Sequence, residues 1–460
     1  MKNKLFISIY CGLMILLASC NNYLDVKPKG KIIPETAEDF STIIHYWLDQ
    51  IEKGRDDVII PNPEVMTTLE MFADDLNATL ASNFGYTSIY VGSAINKNQA
   101  TYKTLYSVIK DCNMVIGNMD DTESDLARTL LGTAWSIRSI CYYNLMRYCE
   151  PYQPETAKET LGLPLVDDFD MEAKPARANL KETAEFIEEG FRKALSYNVS
   201  NEDFIFTSSV TKAYFARFFF WTQNWSNAIT YAKEVLEKYP MLEADEYVEA
   251  INQKQAKAHN VIIRSFTMDD DIGTMSYATA QADIKSRPVD RNLVDLFAAT
   301  DNDVRRRCNY DSKRIVNKII TTKFRSEELC LIIAEAHAHL NQETDALGYL
   351  NQLRSKRITQ NYIAYTIDNL PEVFQQNIKT DATGIPLTKL MSAILCERRK
   401  ELFVEGDRWF ELKRNGRPEF WVAAKGKKFI TEKYLYTFPI PKADIRLFPD
   451  LLIQNPGYIE

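Results

Sequence analysis

The sequence contains little of the two residues that most often interrupt regular structure. It has 16 glycines and 17 prolines among 460 residues, about 7%, whereas average usage of the two sums to roughly 12%. This scarcity excludes collagen-like and low-complexity chains. It also argues against a sandwich or barrel of many short strands, because tight hairpin turns usually need such residues. With 45% hydrophobic residues the chain can bury a large core, and we expect a mainly α-helical fold.

Histidine is also scarce, with four in the whole chain. His337 and His339 are two residues apart, so on a helix they point in different directions and cannot chelate one ion. No GxxxxGK[ST], GxGxxG, GxSxG or HExxH string occurs. The usual signals for nucleotide binding, serine hydrolases and zinc proteases are therefore missing. We predict no cofactor and no metal site.

The net charge is −8, so the chain as a whole repels phosphate backbones and nucleic acid is excluded as a partner. An acidic body favours a neutral or weakly charged ligand. Local patches and not the global charge decide binding, so the charge balance alone does not select a ligand.

The N-terminus carries an export signal. Lys2 and Lys4 precede an apolar run over residues 5–17, which is too short to span a bilayer but suits a signal-peptide core. The run ends in Leu-Ala-Ser-Cys, which resembles the bacterial lipobox, so we predict a signal peptide over residues 1–19, lipidation of Cys20 and a polar tether over 20–30. A single domain over 31–460 follows, with no later apolar run long enough to cross a membrane. Six cysteines remain after lipidation, without CxxC spacing, and we expect buried free thiols.

Hydrophobic periodicity predicts pairs of amphipathic helices. Apolar residues from Leu329 to Leu340 recur at helical spacing, and a second helix carries Ala346, Leu350 and Leu353 after a short polar link. The same arrangement occurs over 210–223 and 225–236, and further helices are expected over 102–119, 134–148 and 180–197. Paired helices with small residues four apart resemble degenerate tetratricopeptide repeats. The stretches 241–325 and 359–387 lack clear periodicity, so we expect an irregular, loop-rich half beside the helix pairs.

Several segments together resemble the SusD/RagB family. Residues 397–414, ERRKELFVEGDRWFELKR, resemble its ER-x-x-EL-x-x-EG-x-R-x-x-DL-x-R signature, with Glu411 in place of the usual Asp. The endings FPIP at 438–441 and QNPGY at 454–458 resemble its C-terminal motifs. Tyr23-Leu24-Asp25 resembles its mature start, and similar matches occur at 106–113, 334–336 and 350–354.

This resemblance implies an outer-membrane lipoprotein of Bacteroidetes, exposed at the cell surface, with four tetratricopeptide-like helix pairs. Such proteins cover a SusC-like TonB-dependent transporter and capture oligosaccharides, or peptides in the RagB branch, for import. The resemblance implies no enzymatic activity. A surface glycosidase and a scaffold that binds only protein are the alternatives from other functional classes.

Glu397, Glu401 and Glu405 have the spacing of one helix face, and paired carboxylates are what glycoside hydrolysis requires. Arginines and a lysine surround them in sequence. We therefore expect ion pairs rather than catalysis, and a structural role for this segment.

Candidate ligand-binding residues combine aromatic rings, which cover the faces of sugar rings, with side chains that hydrogen-bond to hydroxyls. For each aromatic residue, packing into the core is an equally good interpretation, and the aromatic run 214–221 is expected to be core. The candidates come from the 74–99 stretch and from the irregular middle of the chain: Asp74, Asn83, Phe84, Tyr86, Tyr90, Tyr277, Arg287 and Tyr310.

Overall fold

A computed structural model describes residues 34–52, 59–83, 85, 88–97, 102–170, 172, 174–253, 258–265, 272–297, 302–320 and 323–458. The predicted signal peptide, Cys20 and the tether lie outside the described residues.

The described residues are mainly helical, which confirms the predicted fold class. The helices are α1 (Ala37–Glu52), α2 (Pro63–Phe72), α3 (Tyr102–Asn118), α4 (Asp125–Met146), α5 (Leu180–Ser196), α6 (Ser208–Trp221), α7 (Trp225–Lys238), α8 (Ala244–Ala250), α9 (Ile272–Lys285), α10 (Arg291–Val294), α11 (Val304–Asn309), α12 (Ser326–His339), α13 (Glu343–Ser355), α14 (Lys389–Glu401), α15 (Arg408–Arg414) and α16 (Lys442–Leu447).

The predicted helix pairs are confirmed. Helix α6 packs against α7 and α12 against α13, while α7 and α12 join the two pairs and α3, α4 and α5 extend the array. Both pairs are joined by three-residue links. In each link one polar residue has a positive φ, 61° at Gln223 and 57° at Asn341. The two turns therefore use the same left-handed backbone conformation.

In the part of the chain that the structure describes, three small antiparallel sheets accompany the helices. They pair β1 (Leu161–Pro164) with β2 (Arg177–Asn179), β3 (Val261–Arg264) with β4 (Lys323–Arg325), and β5 (Phe420–Ala424) with β6 (Lys427–Thr431). The 359–387 stretch is irregular as expected, with one short 3₁₀ turn at Ile367–Asn369. The 241–325 stretch is more ordered than its weak periodicity predicted, because it contains α9.

The aromatic run on α6 is buried, as expected, among the residues of the main hydrophobic core. Trp409 of α15 lies in the same core, where its ring stacks on Tyr436 at a centroid distance of 4.4 Å. The described cysteines are free thiols, five of them buried and Cys396 partly buried, which confirms the expectation for them. Within the described ranges, no helix has the length and apolar character needed to cross a membrane.

Side-chain amides join the two C-terminal motifs. Gln454 accepts a hydrogen bond from the Ile440 amide (2.9 Å) and donates one to its carbonyl (3.0 Å). Asn455 donates to the Phe438 carbonyl at 2.6 Å. The 454–458 ending thus supplies the partners that the irregular 438–441 backbone would otherwise lack.

Two helical glycines give a prediction about packing. A Cβ on Gly132 of α4 would lie 2.5 Å from Val199 Cγ2 and 2.8 Å from Tyr197 Cβ, whereas Gly348 of α13 has no atom within 4 Å of that position. Gly348→Ala should raise the free energy of unfolding by up to about 1 kcal/mol, because alanine favours helix. The free energy of unfolding of Gly132→Ala should be about 1–3 kcal/mol lower than that of Gly348→Ala, because the methyl group overpacks the contact. Urea denaturation of both variants measures the difference, and equal effects would contradict the close approach.

Candidate functional site

The signature segment 397–414 is buried along nearly its whole length. Glu397 and Glu401 lie on α14, but α14 ends at Glu401, so the expected helix face does not include Glu405. Glu405 instead lies in the turn between α14 and α15. It still shares Arg325 with Glu401, because the chain folds back over β4.

Glu401 is the centre of a buried ion-pair network. Its carboxylate lies 2.6 Å from Arg325 Nη1, 3.1 Å from Arg357 Nε and 3.3 Å from Arg305 Nη1. All four side chains are at most 2% exposed. The three arginines come from α11, from β4 and from the turn that follows α13, so one carboxylate joins three separate parts of the chain.

The charges around the glutamates keep them ionised. Burial opposes ionisation of Glu397, but Arg305, Lys400 and Arg354 outweigh it and lower its pKa to about 2. Arginines likewise hold the pKa of Glu401 well below its usual range against the effect of burial. A glycosidase acid needs a raised pKa and access to substrate. The segment therefore has the ion-paired, structural character that its composition indicated.

A second set of ion pairs extends from the signature segment to the end of α2. Arg408 Nε lies 2.7 Å from Asp74 Oδ1, and Arg399 Nε lies 2.5 Å from Asp75 Oδ1. Asn377 donates a further hydrogen bond to Asp74 at 2.8 Å. Burial is outweighed by Arg408 and Arg399, so the pKa of Asp74 is lowered. This carboxylate fixes the loop after α2 to α15.

An open cleft lies beside Asp74, with a volume of about 220 Å³. Its walls are the end of α2, the turn that follows it, the chain around α10 and strand β5. We call it the Trp421 cleft. Its lining residues are Met71, Phe72, Ala73, Asp74, Leu76, Asn77, Ala78, Thr79, Val91, Arg287, Asp290, Asn292, Asn377, Phe420, Trp421 and Val422.

Trp421 gives the cleft an exposed aromatic face. Its side chain is 58% exposed, and its cross-strand partner Ile430 is 41% exposed. Lys428 Nζ lies 4.9 Å from the Trp421 ring centroid. Leu80, 54% exposed, belongs to the 3₁₀ turn that packs against β5. Large rings are usually buried, so this exposed apolar patch is the candidate binding surface of the region.

Gly92 brings the loop after α2 against the β5–β6 hairpin. Its φ is +54°, and a Cβ there would lie 3.0 Å from the Ile430 carbonyl oxygen. Glycine is the residue that meets both requirements. The exposed face of the hairpin is thereby fixed beside the loop.

The cleft also has a polar wall. Asn77 Nδ2 donates to Asp290 Oδ2 at 2.8 Å, and Asn77 Oδ1 accepts from the Leu80 amide. Asp290 caps α10 through the Asn292 amide. Amides, a carboxylate and the Thr79 hydroxyl beside an aromatic face supply the contacts that sugars use.

Two of the sequence-predicted site residues meet at this cleft. Asp74 and Arg287 both line it, but each also has protein partners. Arg287 is fully buried and donates from Nη1 to the Met71 carbonyl at 2.6 Å. Tyr90 lies behind the cleft, 8% exposed, with its ring 6.2 Å from that of Phe72. A ligand-binding role for these three residues stays a prediction.

The other predicted residues lie elsewhere. Asn83 is exposed on the loop after the cleft, and Phe84 and Tyr86 lie outside the described residues. Tyr277 is buried on α9, where its hydroxyl donates to Gln281 Oε1 at 3.0 Å. Tyr310 is buried beside a separate groove on the far side of α10.

Sequence reasoning missed Trp421, the most exposed aromatic ring of the cleft. The run Phe420–Ala424, followed by Lys-Gly-Lys-Lys, has the composition of a hairpin, and a tryptophan on a two-stranded edge sheet must expose one of its faces. That signal was available in the sequence. No group of three His, Cys, Asp or Glu side chains in the described ranges could hold a metal ion.

Comparison with known proteins identifies the family. A family model described as "SusD family" matches residues 308–458, and one described as "Starch-binding associating with outer membrane" matches residues 22–220. The two matches cover more than half of the chain, including the signature segment. The chain belongs to the SusD/RagB family. No curated protein matches the sequence.

Solved structures of the SusD superfamily share the fold. A SusD superfamily protein from Bacteroides vulgatus is 18% identical with a TM-score of 0.71, and the alignment covers 93% of this chain and all of that one. A putative sugar-binding protein from the same species is 19% identical with a TM-score of 0.70 and the same coverage. A laminarin-binding SusD-like protein is 16% identical with a TM-score of 0.59, covering 92% of this chain and 99% of that one. At these identities the likeness concerns the fold.

The buried network predicts a large cost for losing one carboxylate. Glu401→Gln leaves three buried arginines short of a negative charge, and we expect it to lower the free energy of unfolding by about 3–5 kcal/mol. Glu372→Gln is the control, because Glu372 is 84% exposed and pairs with Lys389 at the surface; it should cost less than about 1 kcal/mol. Urea denaturation checks both values, and similar small losses would contradict a structural role for Glu401.

Glu70 of α2 predicts a pH dependence of stability. Burial and the charge of Asp75 raise its pKa from 4.5 to about 8, against a hydrogen bond from the Gly406 amide. The folded state thus holds this proton more tightly than the unfolded chain, so its contribution to stability is lost as the pH rises from 4.5 through 8. In the wild type, the free energy of unfolding should decline by up to about 1.4 kcal/mol per pH unit in that window. Glu70→Gln should remove this decline.

Denaturation of Glu70→Gln at several pH values between 4.5 and 8.5 measures the effect. Glu64→Gln changes an exposed residue of the same helix and should reproduce the wild-type profile. A Glu70→Gln profile parallel to that of the wild type would show that Glu70 is already ionised in the folded protein.

Proposed function

We propose that this protein is a glycan-binding lipoprotein of the cell surface that captures oligosaccharide at the Trp421 cleft. The observation that carries the proposal is the exposed Trp421 ring beside a wall of amide and carboxylate groups. An aromatic face covers the apolar face of a sugar ring, while amides exchange hydrogen bonds with its hydroxyls.

The size of the cleft limits how much ligand it holds. At about 220 Å³ it is smaller than the roughly 300–1,000 Å³ of an enclosing small-molecule pocket. We infer that it holds part of a chain, with further sugar units lying over Trp421 and the neighbouring loop. Of the residues predicted from the sequence, Asp74 and Arg287 line this cleft.

Family membership supports this function without specifying the ligand. One matching family is described as starch-binding and associating with the outer membrane, and a structural neighbour binds laminarin. The lipobox-like sequence before Cys20 supports attachment to the outer membrane by a lipid. We further propose that the bound oligosaccharide passes to a SusC-like TonB-dependent transporter.

We propose no enzymatic step and no cofactor. The glutamates of the signature segment, which would be the candidates for glycoside hydrolysis, are ion-paired and have lowered pKa values. A peptide-binding function of the RagB kind remains the alternative within the family. Peptide recognition uses a groove that offers backbone hydrogen bonds, whereas the Trp421 cleft offers a ring and side-chain amides.

The test of this function is the Trp421→Ala variant. Loss of the exposed ring should weaken oligosaccharide binding about tenfold or more and leave the melting temperature nearly unchanged. A glycan array that includes starch and laminarin oligosaccharides, with a peptide mixture beside it, selects the ligand, and calorimetry measures its affinity. Trp421 suits this test better than Tyr90, because alanine at Tyr90 would also remove core packing.

Tyr46→Ala is the matched control, since Tyr46 is 56% exposed on α1, and it should bind as the wild type does. Unchanged affinity in Trp421→Ala would discard this cleft. Binding of peptides alone would replace the glycan assignment by the peptide-binding alternative, and turnover of a bound glycan would overturn the assignment as a binding protein.

A further inference from the structure

A second groove, open to solvent, lies beside α11 on the other side of α10 from the Trp421 cleft. Its volume is about 470 Å³, twice that of the cleft. We call it the arginine groove. Its lining residues are Val294, Asn302, Asp303, Arg306, Arg307, Tyr310, Asp311, Ser312, Arg314 and Gln360.

Two exposed guanidinium groups line the groove without a carboxylate of the described residues bound to them. Arg306 and Arg307 are exposed, and among the ion pairs of the described residues neither takes part. Their neighbour Arg305 is fully buried and bound to Asp303 and Glu397 at 2.6 and 2.7 Å. A third cation of the groove, Arg314, has one donor bound to the Val289 carbonyl at 3.0 Å.

The carboxylates in the groove do not neutralise these cations. Asp303 is paired with Arg305 and lies 3.6 Å from Lys400, both on its buried side. Asp311 accepts hydrogen bonds from the backbone amides of Lys313 and Ile315. The charge of Asp295 also acts on Tyr310, so two carboxylates stand against the three arginines of the groove. The groove is therefore locally positive on a protein whose net charge is −8.

Tyr310 adds a donor to the wall of the groove. The residue is 6% exposed and lines the groove. Burial raises the pKa of its hydroxyl, against the charge of Arg306 and a hydrogen bond from the Arg306 side chain, so the hydroxyl keeps its proton. No acceptor among the described residues takes that proton.

The groove and the Trp421 cleft are neighbours. Asn292, in α10, lines the cleft, and Val294, two residues further on in the same helix, lines the groove. This four-residue helix contributes to the walls of both. A glycan chain that occupies both would pass over this helix.

We propose that the arginine groove binds the acidic groups of a glycan, either carboxylates or sulfates, as a second subsite beside the Trp421 cleft. The inference rests on the proposed function and narrows its ligand class to acidic polysaccharides. This ligand class replaces the neutral or weakly charged ligand that the net charge favoured, because a local cluster of arginines outweighs the net charge at this position. Guanidinium groups suit both anions, since they offer paired donors.

A glycan fits this surface better than a membrane does. A lipid surface requires basic side chains that project from a flat or convex face. Here the arginines line a concavity together with Ser312, Asn302 and Gln360, whose polar groups match the hydroxyls of a sugar.

The test compares Arg306→Gln/Arg307→Gln with wild type on three immobilised polymers: polygalacturonate for carboxylates, dextran sulfate for sulfates and laminarin as a neutral glycan. The double variant should bind the preferred acidic polymer about tenfold more weakly, and its affinity should depend less steeply on salt. Laminarin binding, where present, should not change. Lys158→Gln/Lys193→Gln removes the same net charge at two exposed residues outside the groove and should behave as the wild type.

The outcomes separate this inference from the proposed function. Laminarin binding that depends on Trp421, without binding of either acidic polymer, would overturn the groove assignment and leave the proposed function intact. Equal losses in the two double variants would reduce the effect to net charge and overturn it too. Acidic-polymer binding that needs Arg306 and Arg307 but not Trp421 would support the groove and contradict the cleft. Arginine-dependent binding to phosphatidylglycerol vesicles, without binding to the acidic polymers, would reassign the groove to a membrane surface.

Discussion

One buried carboxylate, that of Glu401, holds together parts of the chain that lie far apart in sequence. Arg305, Arg325 and Arg357 meet on it from three elements, and none of the four side chains has access to bulk water. Each charge is costly to bury alone and tolerable only with its partners. The helix array and the irregular half must therefore dock in one arrangement, because a displaced element would leave a charge without its partner. The signature segment 397–414, which contains Glu401, therefore serves to hold the fold together.

The network also holds the cleft at which we propose that ligand binds. Arg408, in the last part of the signature segment, holds Asp74 at the wall of the Trp421 cleft, and β5 follows α15 after a short connection. The exposed Trp421 ring is thus attached by a short connection to a helix that is held by a buried ion pair. Loops and hairpin residues at this rim can change without disturbing the buried charges, so a common frame can carry different ligand specificities.

The sequence contained enough information for the helices and not enough for the site. Periodicity placed α3 at 102–119, and the structure has Tyr102–Asn118, because a helix records its buried face locally at every third or fourth residue. The partners of Asp74 are 303 and 334 residues away, and no local pattern records such a contact. Asp74 and Arg287 therefore had the composition of ligand contacts while the fold also gave them protein partners. Trp421 was missed for a different reason, since an aromatic residue on a short strand has the composition of core unless the hairpin that exposes it is recognised.

The three consecutive arginines 305–307 are alike in sequence but differ in position in the fold, since one is buried in the ion-pair network and two are exposed. Successive residues of a helix point about 100° apart, so when Arg305 turns inward to Asp303 and Glu397, its two neighbours cannot follow it. Arg305 is fully buried, and Arg306 and Arg307 are exposed along the groove. The buried network thus determines which charges remain outside it. The net charge counts the buried and the exposed arginines alike, and for that reason it says little about the ligand. The register of α11 against α14 separates the charges that stabilise the protein from those left available for binding.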